Sequence, residues 1–234
     1  MRYALIIPAC NEEACLPLVL EELRAVLPGG CYEIFVGVNG SSDGTARVAE
    51  QHGARAREIP ERGYGFGCLA ALALAEESGS LFDGYIFLAA DGANDPRDIA
   101  ALVAEHQAGA GLVLGSRTLD RSNHRFLPFH YRWANRFFGF FCGLLTGRFF
   151  SDLGPLRLID RKVLHALGLQ EGTFGWTIEA QVRAARFGVK IVEVSVSERG
   201  RVAGEQKISH VSWKRTVSVG MKILVAGAQA RFRS

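Results

Sequence analysis

The sequence has no Cys-x-x-Cys pair, no GxxxxGK[ST] phosphate loop and no G-x-G-x-x-G after its first apolar segment. The missing fingerprints disfavour a P-loop or a dinucleotide site. Its five cysteines (Cys10, Cys15, Cys31, Cys68, Cys142) are odd in number and scattered, so a zinc centre is not expected. No run of about 18 purely apolar residues occurs, and no membrane-spanning helix is expected. Internal repeats and low-complexity stretches are absent. The net charge of +3 and pI near 8.7 are too mild to indicate nucleic acid as a partner. Met1-Arg2 runs directly into an apolar segment, so no signal peptide is expected, and the expectation is reduced thiols in a cytoplasmic setting.

What is present is a chain of 234 residues, 48 % of them hydrophobic, long enough for a sizeable core. No composition break divides it, so one domain over 1–234 with a C-terminal elaboration is expected. The first half alternates. Tyr3–Ile7 reads as a strand ended by Pro8, and Asn11 as the cap of a helix carrying Leu16, Leu20, Leu23, Val26 and Leu27. Glu33–Val38 is a second strand, followed by the turn cluster Asn39–Gly44 and a helix from Thr45 to His52. A short strand at Arg57–Ile59 precedes a glycine-rich loop and an Ala/Leu helix over Leu69–Glu77. Then come a strand at Tyr85–Leu88, a helix opened by Pro96 and a strand at Gly111–Leu114. Strands alternating with helices predict right-handed βαβ units and a mainly parallel sheet.

Asp91 follows the apolar strand at its carboxyl end, the edge where open α/β sheets bind ligands. A carboxylate there can hold Mg²⁺ or Mn²⁺ against a diphosphate; the alternative is a turn residue that closes the strand. In a parallel sheet, Pro8–Glu13, Asn39–Thr45 and Asp91–Asp95 share that edge and, with Arg62–Gly67, form one crevice. Amides of a glycine-rich turn that opens a helix suit phosphates. Beyond Arg117 the alternation fails. Segment 126–150 interleaves ten aromatic residues with arginines, which suits an interfacial amphipathic helix or helix pair; aromatics covering the sheet are the alternative. Val211–Arg233 reads as another amphipathic helix with basic ends, for the membrane surface or docked on the core.

These blocks resemble, in order and over nearly the whole chain, the inverting GT-A glycosyltransferases that include dolichol-phosphate and polyprenyl-phosphate sugar synthases. The matching residues are Ile7-Pro-Ala-Cys-Asn-Glu-Glu13, Val38-Asn-Gly-Ser-Ser-Asp-Gly-Thr45, Arg62-Gly-Tyr-Gly65 and Ala89-Ala-Asp91. Further along they are Gly115-Ser-Arg117, Arg132-Trp-Ala-Asn135, Asp152-Leu-Gly-Pro-Leu-Arg157 and Arg201-Val-Ala-Gly-Glu-Gln-Lys207. The resemblance implies an α/β GT-A fold: a Rossmann-like, mainly parallel central sheet with flanking helices, here with C-terminal amphipathic helices. It divides the domain into a nucleotide-sugar-binding half (1–117), an acceptor-binding half (118–210) and a C-terminal amphipathic helix (211–234).

The implied activity is transfer of a hexose, with inversion, from a nucleotide-diphosphate sugar (UDP rather than GDP as the default) to a polyprenyl phosphate. Such an enzyme would be cytoplasmic and peripheral on the inner face of the membrane, bound through 126–150 and the C-terminal helix; a homo-oligomer is left open. Pro8, Ala9, Glu12 and Asn39 would contact the nucleoside, Asp43 and Gly92 would belong to the same pocket, and Arg62 and Gly63 would border base and ribose. Asp91 would hold Mg²⁺ or Mn²⁺, and Arg117, Arg132, Arg201 and Lys207 would meet phosphates. Glu179 stands where other branches carry a catalytic base; orienting an arginine or capping a helix are its alternatives. The chain departs from the pattern at Ala89, Ala93, Val38 and Gln206. Asp95 and His210 are the further metal-ligand candidates. The rival expectations are a degenerate nucleotide-sugar binder and, less well matched, a nucleotidyltransferase.

Overall fold

The computed structural model describes residues 1–127, 129–203 and 213–232; the side chains of His130 and of 213–218 are outside that description. Seven strands form one sheet in the order β3-β2-β1-β4-β6-β5-β7. They are β1 (Tyr3–Ala9), β2 (Tyr32–Asn39), β3 (Arg55–Ile59), β4 (Gly84–Phe87), β5 (Leu112–Ser116), β6 (Arg157–Asp160) and β7 (Ile191–Ser195). Only β6 runs against its neighbours, so the carboxyl ends of the other strands share one edge and β6 begins there.

β1 is apolar throughout and buried along its whole length between β2 and β4, as a central parallel strand requires. Leu5 and Ile7 meet Leu16, Leu20 and Leu23 of α1 (Leu16–Val26), with Val48 of α2 (Thr45–Gln51) and Leu102 of α4 (Ile99–Gln107). Ala4 and Ile6 face the other layer, built from α3 (Tyr64–Glu77), α5 (Phe129–Thr146), α7 (Trp176–Arg186) and α8 (Trp213–Phe232). α3 is Gly, Ala, Cys and Leu on nearly every side, which suits a helix enclosed between the sheet and α7.

Two helix starts differ from the sequence expectation. α1 begins at Leu16 with Pro17 in its first turn, and its capping residue is Cys15, not Asn11. Asn11 instead takes a left-handed φ of 54° and accepts from the Ser42 amide at 2.7 Å, stapling the loop after β1 to the loop after β2. α3 begins at Tyr64 rather than Leu69, because the glycines of the Arg62–Gly67 segment belong to its first turns. β6, β7 and α6 (Arg161–Leu167) had no sequence expectation, while α7 begins at Trp176, with Glu179 in its first turn, where a helix start was expected. Asp160 caps α6 by accepting from the amides of Lys162 and Val163. Segment 126–150 contributes the one long helix α5, and the five thiols are unbridged.

Candidate active site

The loops after β1 and β2 interlock. Asp43 accepts from the Thr45 amide at 3.1 Å and from the Glu13 amide at 3.2 Å, and Glu13 accepts from the Gly44 amide at 3.0 Å. Asp43 therefore shapes the crevice wall. Pro8 and Asn39 line it at the first turns of α3: a Cβ on Gly67 would stand 2.7 Å from Asn39 Oδ1 and 2.8 Å from Pro8 Cβ. Ala9 is buried at the end of β1. Arg62 is exposed and lies over Gly40, whose missing side chain leaves room for its stem.

The glycine-rich segment is used for packing. The amides of Gly65 and Phe66 donate to the carbonyls of Thr173 and Gly172 at 3.1 and 2.8 Å, which commits them to the loop before α7. Gly63 abuts the same loop, 2.3 Å from the Gly172 carbonyl oxygen for an added Cβ, and a Cβ on Gly65 would meet the Glu171 carbonyl oxygen at 2.0 Å. Gly65→Ala is expected to lower stability by about 1–3 kcal/mol through backbone displacement, read as a lower midpoint in thermal denaturation. Glu179, 2 % exposed, holds this loop from beneath by accepting from the amides of Gln170 and Glu171 at 3.1 and 2.8 Å.

Asp91 stands beyond β4, with its side chain accepting from the Ala93 amide at 3.1 Å and its carbonyl from the Val202 amide at 3.0 Å. Gly92 has φ 77°, and Val202 packs on it so closely that a Cβ would lie 2.5 Å from Val202 Cγ1. Asp95 is bound by Arg97 at 2.6 Å and caps the turn there. The Arg97 hydrogen bonds hold its carboxyl below the usual range. Asn94 accepts from the Ala89 amide at 3.0 Å.

The segment after β7 folds back over this loop. Glu12, expected at the nucleoside, and Arg201, expected at a phosphate, pair with each other in bidentate fashion, one bond being 3.1 Å. Arg201 also donates to the Ala203 carbonyl, as does the Cys15 thiol, both at 2.8 Å. Arg117 forms two side-chain bonds with Asp152 (2.8 and 2.9 Å) and a third through its amide (2.9 Å). Burial pushes the Asp152 carboxyl up, but the Arg117 charge and bonds outweigh it and hold it below the usual carboxylate range. The remaining Arg117 nitrogen faces Glu198 at 3.5 Å.

Glu198 belongs to none of the sequence blocks. In a Ser-Glu-Arg-Gly-Arg run it reads as a solvated charge, yet it is paired with Asn94 in an isolated bridge and its Oε2 is buried without a hydrogen-bond partner. Burial pushes its carboxyl up to about 7; the Arg117 charge opposes this, and those of Asp91 and Asp152 add to it. Arg157 is the other residue whose setting was not foreseen. It is fully buried, donates to the Thr177 and Gly154 carbonyls and lies over the Trp176 ring.

Arg132, on the first turn of α5, lies over the Phe129 ring with its Nε buried and unpartnered. Burial pushes the Tyr131 phenol up while the Arg117 charge pulls it back. Lys207 and His210 lie outside the described residues. Among the described residues no group of three or more His, Cys, Asp or Glu gathers as a metal cage.

Residues 4–168 match the model of the family described as "Glycosyl transferase family 2". The chain belongs to that family. It is 35 % identical over 214 residues to an uncharacterised glycosyltransferase of Mycobacterium tuberculosis, covering 87 % of this chain and 88 % of the relative. To the undecaprenyl-phosphate mannosyltransferase of Micrococcus luteus it is 28 % identical over 227 residues, covering 89 % and 88 %. The fold matches glucosyl-3-phosphoglycerate synthase from M. tuberculosis, solved with Mn²⁺, uridine-diphosphate and glucosyl-3-phosphoglycerate, with TM-score 0.72 at 18 % identity. That match covers 98 % of this chain and 79 % of the synthase chain. The protein is thus a family 2 glycosyltransferase with the GT-A fold, as the sequence blocks led us to expect.

Proposed function

We propose that this glycosyltransferase moves a hexose, with inversion, from a nucleotide-diphosphate sugar to a polyprenyl phosphate at a membrane surface. The observation that carries the reading is a basic, aromatic helix face on a fold whose strand-end crevice holds Asp91. Along α5, Phe129, Trp133, Phe137, Phe140 and Leu144 form one stripe at helical spacing, each at least 54 % exposed. Between Asp120 and Asp152 the sequence has no acidic residue, while Arg121, Arg125, Arg132, Arg136 and Arg148 fall there. Aromatics for the acyl boundary and arginines for phosphates suit an anionic lipid surface. The opposite side of α5 is covered, with Cys142 buried and Phe141 against Gly227 of α8. No helix among the described residues is long and apolar enough to cross a membrane, so the reading is peripheral attachment, on the cytoplasmic face.

The residues present fit a divalent cation. Asp91 offers a hard oxygen at the strand end, and Glu198, whose Oε2 has no partner, belongs to the segment paired with the Asp91–Asn94 loop. Asp91 would hold Mg²⁺ or Mn²⁺, which when bound neutralises charge on the leaving diphosphate. Pro8, Ala9 and Asn39 shape the nucleoside wall and Arg62 borders it. Arg132 meets phosphate at the mouth of α5, and Arg117 fixes the floor through Asp152. A phosphate acceptor arrives ionised, so the reaction asks for no strong base. Glu179, bonded to two loop amides, positions the wall of the crevice.

Labelled UDP- and GDP-sugars offered with polyprenyl phosphate in vesicles test the reading, with 3-phosphoglycerate as the soluble competitor acceptor. Sugar recovered in the lipid phase with inverted configuration supports it; no transfer and no nucleotide binding sinks it. Ala89 and Ala93 favour one second reading, a nucleotide-sugar binder without turnover, which metal-independent binding in calorimetry would support. For the membrane face, replacing Trp133, Phe137 and Phe140 by Ser is expected to weaken sedimentation with anionic liposomes by roughly tenfold or more. Unchanged sedimentation would reject α5 as the attachment face.

A further inference from the structure

We infer that Glu198 is the second carboxylate of the donor-side metal site, supplied from the segment after β7 in place of the acid that Ala89 does not offer. The inference rests on the transferase reading above and assigns a residue to its cation.

The placement of Glu198 is set by backbone pairing. Glu198 bridges Asn94 in antiparallel fashion, the Arg199 amide donates to the Ala93 carbonyl at 2.9 Å, and the Val202 amide donates to the Asp91 carbonyl at 3.0 Å. Residues 198–202 thus lie along the Asp91–Asn94 loop. The Glu198 amide is also fixed, 2.8 Å from Asn123 Oδ1.

The nearby cations already have partners. Arg199 holds Glu22 in a two-bond pair at 2.7 and 2.9 Å and reaches the Gly92 and Asn94 carbonyls at 3.1 and 2.8 Å. Arg201 holds Glu12, and Arg117 gives its short bonds to Asp152. Glu198 receives only the 3.5 Å approach of Arg117 through Oε1, while Oε2 is enclosed with no donor. Among the described residues Asp91 forms no ion pair, its side chain meeting the Ala93 amide. Glu198 Oε2 is therefore left without a donor, on a segment whose backbone is paired along the Asp91–Asn94 loop. Enclosed carboxylate oxygens need a donor or a cation. Mg²⁺ and Mn²⁺ accept one or two protein carboxylates when substrate phosphates and water complete the shell, which is what Asp91 and Glu198 leave room for. Arg117, anchored on Asp152, acts as a positioning residue that aims Glu198.

Mn²⁺ binding followed by electron paramagnetic resonance in the presence of UDP tests this without turnover. Glu198→Gln is expected to raise the Mn²⁺ dissociation constant about 10- to 100-fold while circular dichroism stays native. In Glu198→Cys a thiolate replaces the hard oxygen, so the site should shift from Mn²⁺ to Cd²⁺ and show thiolate-to-cadmium absorption above that of the native thiols. A purely structural Glu198 would give no such shift. Mn²⁺ affinity within twofold of wild type in Glu198→Gln, or no cadmium preference in Glu198→Cys, overturns the inference and leaves the transferase reading standing. Wild-type protein that binds neither UDP nor Mn²⁺ with UDP overturns both.

Discussion

Asp91→Asn is expected to lower kcat/KM for sugar transfer on the order of 10²- to 10³-fold, with the fold retained. The side chain keeps its size and its place beside the Ala93 amide but loses the charge that would hold a cation against the diphosphate. Stabilisation of developing charge in a preorganised site is commonly the largest catalytic contribution, and single-group removals reach this range. Nucleotide binding without metal should change little, because Pro8, Ala9 and Asn39 are untouched. The check is a pair of measurements, steady-state transfer and UDP calorimetry with and without Mn²⁺. Transfer within threefold of wild type would remove Asp91 from the metal site.

The second large effect falls on stability. Asp152→Asn leaves the Arg117 guanidinium, only 16 % exposed, without its carboxylate. Breaking a buried pair by removing one partner costs about 3–5 kcal/mol, which for a chain of this length lowers the melting midpoint by roughly 10 °C. Glu198, 3.5 Å from another nitrogen of the same group, remains as the longer and weaker partner. The sign of the pH dependence follows from the depressed carboxyl. Its contribution is fully present above the unfolded value of 3.8 and is lost as pH falls through the lower folded value. The part of the gap between wild type and variant that comes from the Asp152 charge should therefore narrow below about pH 4. Denaturant titrations at several pH values check both size and direction. A gap that widens on acidification below about pH 4 would mean that the pair does not control this region.

The α/β alternation through β5 is legible in the sequence because β1, β2, β4 and β5 are short, largely apolar runs separated by helical segments, while the charged β3 is placed by the turn residues around it. The two misplaced helix starts have local causes. Asn11 looks like a cap, yet its side chain bonds across to Ser42, 31 residues away. Tyr64-Gly-Phe-Gly looks like a loop, yet its helical turns are imposed by contact with the Gly172–Thr173 backbone. β6 and β7 escape because they are short and carry charge: Arg157 and Asp160 end one, and Glu193 lies within the other. Their strand character comes from neighbours on the sheet, not from a period in their own residues.

The same division runs through the site. Asp91, Asn39 and Pro8 are visible as polar or turn residues at strand ends, and parallel topology alone brings strand ends to one edge. Roles decided by distant partners are not visible in that way. The sequence suggests Glu12 and Arg201 as separate ligand contacts, and folding joins them across 189 positions. Arg117 reads as a phosphate contact, and its long-range partner Asp152 makes it a buried anchor.

By itself the sequence determined the family, the parallel sheet and the carboxylate at its edge, because these follow from local periodicity and from which residues close each strand. Only the tertiary structure decided which charges face one another. Glu198 shows the reason. An acidic residue between a serine and an arginine has no local signature, and its setting is created when the segment after β7 pairs with the Asp91–Asn94 loop and closes out water.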